Sequence, residues 1–124
     1  MDPTTATRPV FNVAHQLVSY AAELYETEPW ELIRKSKHRQ QFRPRFAVIW
    51  ALRRLGELSG APPGHNPYSL NRIAKMFGYA DHTTARHAVI EIERLRAIDP
   101  KLRELTDKLL DYAQTLGPQA RKAA

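Results

Sequence analysis

Four short polar residues in a row, Asp81-His82-Thr83-Thr84, follow a glycine-containing turn and open a run with helical periodicity. Each suits the edge of a base pair. A carboxylate accepts from a cytosine amino group, imidazole and hydroxyl groups donate or accept, and a threonine methyl packs on that of thymine. At about 100° per residue, His82, Thr83, Arg86, His87 and Ile90 share one helix face, and Ala85, Ala88, Ile92 and Leu95 lie opposite. The polar face therefore turns away from any core. Asp81 also fits an N-cap, with one oxygen accepting from the N–H of Thr84 and the other free for a base. A second group is cationic. From Arg34 to Arg54 there are eight Lys or Arg and no acid, a segment able to neutralise phosphates and make affinity strongly salt-dependent.

The elements that must position these groups read as helices. Val10, Val13, Ala14, Leu17, Val18, Ala21 and Leu24 recur at helical spacing and predict a first helix over 10–25. Pro29 opens a short second helix with Trp30, Leu32 and Ile33 on its buried side. Pro44 opens a third, with Phe46, Ala47, Ile49, Trp50 and Leu55 as its apolar face and Gly60 as a left-handed C-cap. The Pro- and Gly-rich stretch over 60–68 is a loop. Ser69 caps a short helix carrying Leu70, Ile73, Ala74 and Phe77, and Gly78 ends it. Asp81 starts the polar-faced helix, and Asp99-Pro100 starts a last one that runs to 116, before Gly117-Pro118. The short helix, tight turn and longer helix over Ser69–Leu95 make a helix-turn-helix. The expected fold is all-α, a compact bundle of about six helices around that unit. Residues 1–9 are expected to be a disordered segment, 10–116 the domain with 60–68 inserted, and 117–124 a flexible tail.

The bulk composition narrows the function. A chain of 124 residues supports one core. Its 19 Lys and Arg against 13 Asp and Glu give +6, a balance that favours polyanionic partners. With no cysteine, disulfides and thiolate metal sites are excluded. No apolar run approaches the ~18–20 residues that cross a bilayer, and Met1–Pro9 lacks a signal-peptide pattern, so the expected location is the cytoplasm, at the nucleoid. His82 and His87 are five apart, well separated around the helix at the two edges of the polar face, and no third ligand is nearby, which argues against a metal pair. Ser19, Ser36, Ser59 and Ser69 stand in no nucleophile elbow, and no paired carboxylates or metal cage accompany them. The reading is a non-enzyme without cofactor, with Trp30 and Trp50 as core residues.

At this point the chain resembles a known family, the C-terminal DNA-binding domain (domain IV) of the bacterial replication initiator DnaA, whose fold is Trp-repressor-like. The resemblance spans about Val13 to Leu95. Phe77-Gly-Tyr-Ala-Asp-His-Thr-Thr-Ala-Arg-His-Ala88 is similar to the family's FGGRDHTTVLHA signature, and Ser36-Lys-His-Arg-Gln-Gln-Phe-Arg-Pro-Arg45 to its basic loop leading into RPRQ. The resemblance implies that Arg39 enters the minor groove from a loop and that Asp81, His82 and Thr83 read bases in the major groove. It further implies that Thr84, His87 and Arg45 meet phosphates. Lys37 and Arg43 of the basic segment, Arg86 on the polar face and Ser69 at its helix start complete the expected phosphate contacts.

Three departures limit what the resemblance carries. Ala80 stands where the family has an Arg, and Tyr79 where a Gly is usual. The loop over 60–68 interrupts the region of the family's basic backbone contacts. No Gly-x-x-x-x-Gly-Lys-Ser/Thr loop is present to cradle a nucleotide. The expected partner is double-stranded DNA, with the full-length initiator or another copy of the chain as further candidates. The expected activity is sequence-specific binding that regulates replication or transcription. The alternative is a protein-interaction module that keeps the fold, a use to which Ala80, Ile90 and the long loop are suited.

Overall fold

A computed structural model describes residues 9–28, 39–60, 66 and 68–116. Five helices lie within them: α1 Pro9–Leu24, α2 Arg39–Leu58, α3 Leu70–Met76, α4 His82–Ile98 and α5 Pro100–Leu116. There is no strand among the described residues, and the all-α expectation holds. The helix expected after Pro29, with Trp30, lies outside the described residues, as do 1–8 and 117–124.

One boundary differs from expectation. Pro44 does not open α2; the helix begins at Arg39 and carries Pro44 within it. A proline there removes a single backbone bond near the helix start. The turns that follow are held by packing, which outweighs that local preference. Arg39 is therefore the first residue of a helix rather than a loop residue.

The reason α2 tolerates this is its position. Residues 47–52, Ala-Val-Ile-Trp-Ala-Leu, are each at most 2% exposed. The sequence pattern suggested one apolar stripe, but a helix buried on all sides is enclosed, and α2 touches each of the other four helices. Around it, α1 contributes Leu17, Val18 and Ala21, α3 contributes Ile73 and Ala74, α4 contributes Ala85, Ala88 and Ile92, and α5 contributes Leu102, Leu109 and Ala113.

The helix ends follow local chemistry. Ser69 accepts from the N–H of Arg72 at 3.2 Å and caps α3. Asp99 accepts from the N–H groups of Lys101 and Leu102 and caps α5. Gly60 adopts φ +74°, as a left-handed C-cap requires. The far end of the inserted loop is pinned to α2. Asn66 accepts from the N–H of Tyr68 at 2.8 Å, and its side chain lies so close over Gly56 that a Cβ there would collide with it. Tyr68 is buried, and burial pushes its hydroxyl up to about 12.

A polar cluster closes the bundle where α2, α4 and α5 meet. The Arg96 guanidinium lies 4.5 Å from the centre of the Trp50 ring. It donates to the Thr106 hydroxyl at 2.5 Å and to Asp107 at 2.8 Å, while Trp50 Nε1 donates to Glu93 at 2.9 Å. Arg96→Ala removes the cation from an aromatic face together with charge-assisted hydrogen bonds. The expected loss is about 2 kcal/mol, which lowers the thermal midpoint by roughly 10 °C in a domain of this size. Differential scanning calorimetry of the wild type and variant checks it, and a midpoint within ~2 °C of wild type would show that the cluster contributes little.

Candidate nucleic-acid interface

The turn that presents α4 is built by a Schellman motif. The N–H of Tyr79 reaches the carbonyl of Ala74 at 2.9 Å and that of Gly78 the carbonyl of Lys75 at 3.2 Å. This geometry needs a left-handed residue between helix and exit, and Gly78 supplies it with φ +73°. Asp81 then caps α4. Its carboxylate accepts from the N–H of Thr83 at 2.8 Å, one residue earlier than the Thr84 bond the sequence suggested. Hydrogen bonds from the backbone and side chain of Thr83 hold the Asp81 carboxyl below its ordinary value of 3.8. It is ionised at neutral pH, so the cap is intact above that ordinary value and is lost as pH falls through the lowered one.

From this start α4 separates its faces as the periodicity predicts. Ala85, Ala88 and Ile92 are fully buried. His82, Thr83, Arg86, His87 and Ile90 are exposed, Asp81 beside them is exposed, and Thr84 is half-buried. Among the described residues Arg86 enters no salt bridge. The structure thus brings Asp81, His82, Thr83, Thr84, Arg86 and His87 into one patch. Beyond Ile90 the helix surface changes character. Glu91 pairs with Arg94 at 2.6 Å, and Glu93 is engaged by Trp50.

The basic segment meets this patch through α2. Phe46 packs edge-on against His87, ring centres 6.1 Å apart, which sets the early part of α2 along the flank of α4. Arg39 and Arg43 lie in the first turns of α2; their side chains, and Lys37 altogether, fall outside the described residues. Ser69, at the start of α3, is half-buried and spends an acceptor lone pair on its cap, keeping its O–H to donate.

Arg45, expected to meet a phosphate, is only 2% exposed. Its Nη1 donates to the Tyr79 hydroxyl at 3.4 Å, and Tyr79 in turn stacks on Phe77 with centres 6.4 Å apart. Arg45 therefore braces the turn from beneath. Tyr79 was read only as a departure, and its role as a tie between the turn and α2 was missed. A signal existed: Arg45, Ile49 and Leu52 fall at i, i+4 and i+7, on the same apolar side. Among the described residues no cluster of three or more metal-ligating side chains occurs, and no helix is long and apolar enough to cross a membrane.

No family model matches the chain. Curated proteins do. Over 81 residues, 65% of this chain, it is 37% identical to the chromosomal replication initiator protein DnaA of Caulobacter sp. (strain K31). It is equally similar to the same protein of Caulobacter vibrioides, in strains NA1000 / CB15N and ATCC 19089 / CIP 103742 / CB 15. The matched stretch spans 15% and 14% of those relatives' lengths. The chain is thus DnaA-like over about two thirds of its own length, in agreement with the two motifs, while covering a small part of the initiator.

The cap and any reading role of Asp81 separate by substitution. Asp81→Ser supplies an equally good N-cap without a carboxylate, whereas Asp81→Ala supplies neither. The expected result is a wild-type thermal midpoint for Asp81→Ser and a lower one for Asp81→Ala, and a reading role for the carboxylate would cost both variants discrimination between duplexes. Equal discrimination by Asp81→Ser and wild type would leave Asp81 as a cap alone.

Proposed function

We propose that this domain binds duplex DNA sequence-specifically, with α4 in the major groove, at sites related to the asymmetric boxes that the DnaA family reads. The observation that carries the reading is the separation of faces on α4. The exposed row of His82, Thr83, Arg86 and His87 stands opposite fully buried Ala85, Ala88 and Ile92. A reading helix needs its N-terminal side chains free and its other face anchored, with the preceding helix crossing the backbone. Asp81, His82 and Thr83 contact base edges; Thr84, Arg86, His87 and Ser69 contact phosphates beside them. Lys37, Arg39 and Arg43 bring the second cationic element, with Arg39 in the adjacent minor groove. Arg45 acts through Tyr79, by holding the turn. The domain acts by occupying such sites and so regulates replication initiation or transcription, with no hydrolytic step of its own.

His82→Ala combined with Thr83→Ala removes two base contacts and no core atom. Each such contact is worth ~1–3 kcal/mol, so preference for a selected duplex over a scrambled one should fall by at least tenfold while the thermal midpoint holds. Fluorescence anisotropy across a salt series measures both preference and slope, since each phosphate neutralised contributes about 0.9 to the slope. Unchanged discrimination, or binding without salt dependence, rules the reading out.

Arg39→Ala tests the second element. A narrow A·T minor groove carries enhanced negative potential and attracts an inserted arginine. The variant should lose affinity chiefly on duplexes with an A·T stretch beside the major-groove site, and much less where that stretch is G·C. Equal losses on both would make Arg39 a phosphate contact only.

A further inference from the structure

The exposed face of α4 ends on a residue that the polar reading leaves unused. Ile90 is 55% exposed, on the same face as Thr83, Arg86 and His87. A lone exposed isoleucine is ordinary on a protein surface; its register is what makes this one informative. Seven residues beyond Thr83, it stands within about 20° of it around the axis and about 10 Å further along. Thr83, Arg86, His87 and Ile90 fall at i, i+3, i+4 and i+7, so Ile90 continues the one face of the helix that the DNA-reading assignment turns toward the major groove. The neighbouring Val89 turns inward and packs against the core, so the exposure of Ile90 follows from the direction of the helix and not from frayed structure.

The surroundings say what Ile90 can meet. Arg86 and His87, one turn before it, are exposed and polar. Directly after it the acids begin: Glu91 is held by Arg94 and Glu93 by Trp50. Glu91 and Arg94 largely neutralise each other there, and Ile90 itself has no polar atom to offer a phosphate. The apolar group that the major groove displays is the thymine C5 methyl. We infer that Ile90 is a specificity-determining residue that packs on the C5 methyl of a thymine, two helical turns from the bases read by His82 and Thr83. This deepens the DNA-reading assignment and rests on it.

The test deletes the methyl and nothing else. A preferred duplex is selected from a random pool with the wild-type protein, and each thymine is replaced singly by deoxyuridine, which retains every hydrogen-bonding group. At one thymine, apart from those sensitive to His82→Ala and Thr83→Ala, the replacement should weaken wild-type binding roughly fourfold, the equivalent of one buried methyl. The same replacement should leave Ile90→Ala unaffected, and the two proteins should respond alike at all other thymines. Ile90 lies outside the core, so Ile90→Ala is expected to melt as wild type does. Identical responses of the two proteins at every thymine, wild-type indifference to all replacements, or a selected duplex without an invariant thymine would each overturn the inference while leaving DNA reading intact. Failure of the wild type to prefer any duplex over a scrambled one would instead remove the DNA-reading assignment, and this inference with it.

Discussion

Residues 47–52 of α2 are shielded on every side, and that enclosure fixes where everything else can go. This enclosed stretch offers no face for a partner, which leaves the ends of α2 and the helices that wrap it. Of the wrapping helices, α4 carries the exposed row of His82, Thr83, Arg86 and His87 opposite fully buried Ala85, Ala88 and Ile92. Its anchoring residues Ala85 and Ala88 are small, which lets the helix axis approach α2 closely and leaves the long and polar side chains on the far side. The Arg96 cluster then ties the distal half of α4 to both α2 and α5. One end of α4 is thus anchored in the bundle and the other, at Asp81, is free to project.

Much of this was legible in the sequence because the deciding interactions are local. Ser69, Gly78, Asp81 and Asp99 each satisfy or redirect backbone groups within a few residues of themselves, and the structure uses all four as caps or turn residues. The alternation of faces on α4 is likewise a matter of 3.6-residue geometry. What could not be read from local rules was decided by contacts between distant segments. Pro44 marks a helix start by local preference, yet the burial of 47–52 carries the helix back past it to Arg39. The family resemblance implied a phosphate for Arg45; instead its side chain is buried and donates to a half-buried tyrosine hydroxyl 34 positions away. The one-residue difference in the Asp81 bond, to Thr83 instead of Thr84, is the choice between two adjacent N–H groups that any N-cap faces.

The departures from the DnaA pattern acquire separate physical meanings. Tyr79, in place of glycine, keeps the turn geometry because the left-handed position belongs to Gly78, one residue earlier. Its ring covers Phe77 and its hydroxyl receives Arg45, so the substitution adds a tie between the turn and the central helix. Ala80 gives up a cation directly beside the reading face. The inserted loop is attached at its far end, where Asn66 lies against Gly56 and orders the approach to Tyr68. A glycine inside a helix usually costs about 1 kcal/mol relative to alanine; at position 56 that cost permits the close approach that seats the loop.

Charge is unevenly distributed along α4. Its first turns carry His82, Arg86 and His87 without an acid, while Glu91 and Glu93 follow immediately after Ile90. Both acids are occupied within the protein, by Arg94 and by Trp50, and so are held in place on the helix. The two acids serve the fold in different ways: Glu93 ties α4 to α2 through Trp50, and Glu91 forms an ion pair within α4. On the exposed face of α4 ahead of Glu91, Ile90 is the one apolar side chain among polar ones, so under the proposed DNA-reading role that face ends on a group suited to a methyl and not to a phosphate.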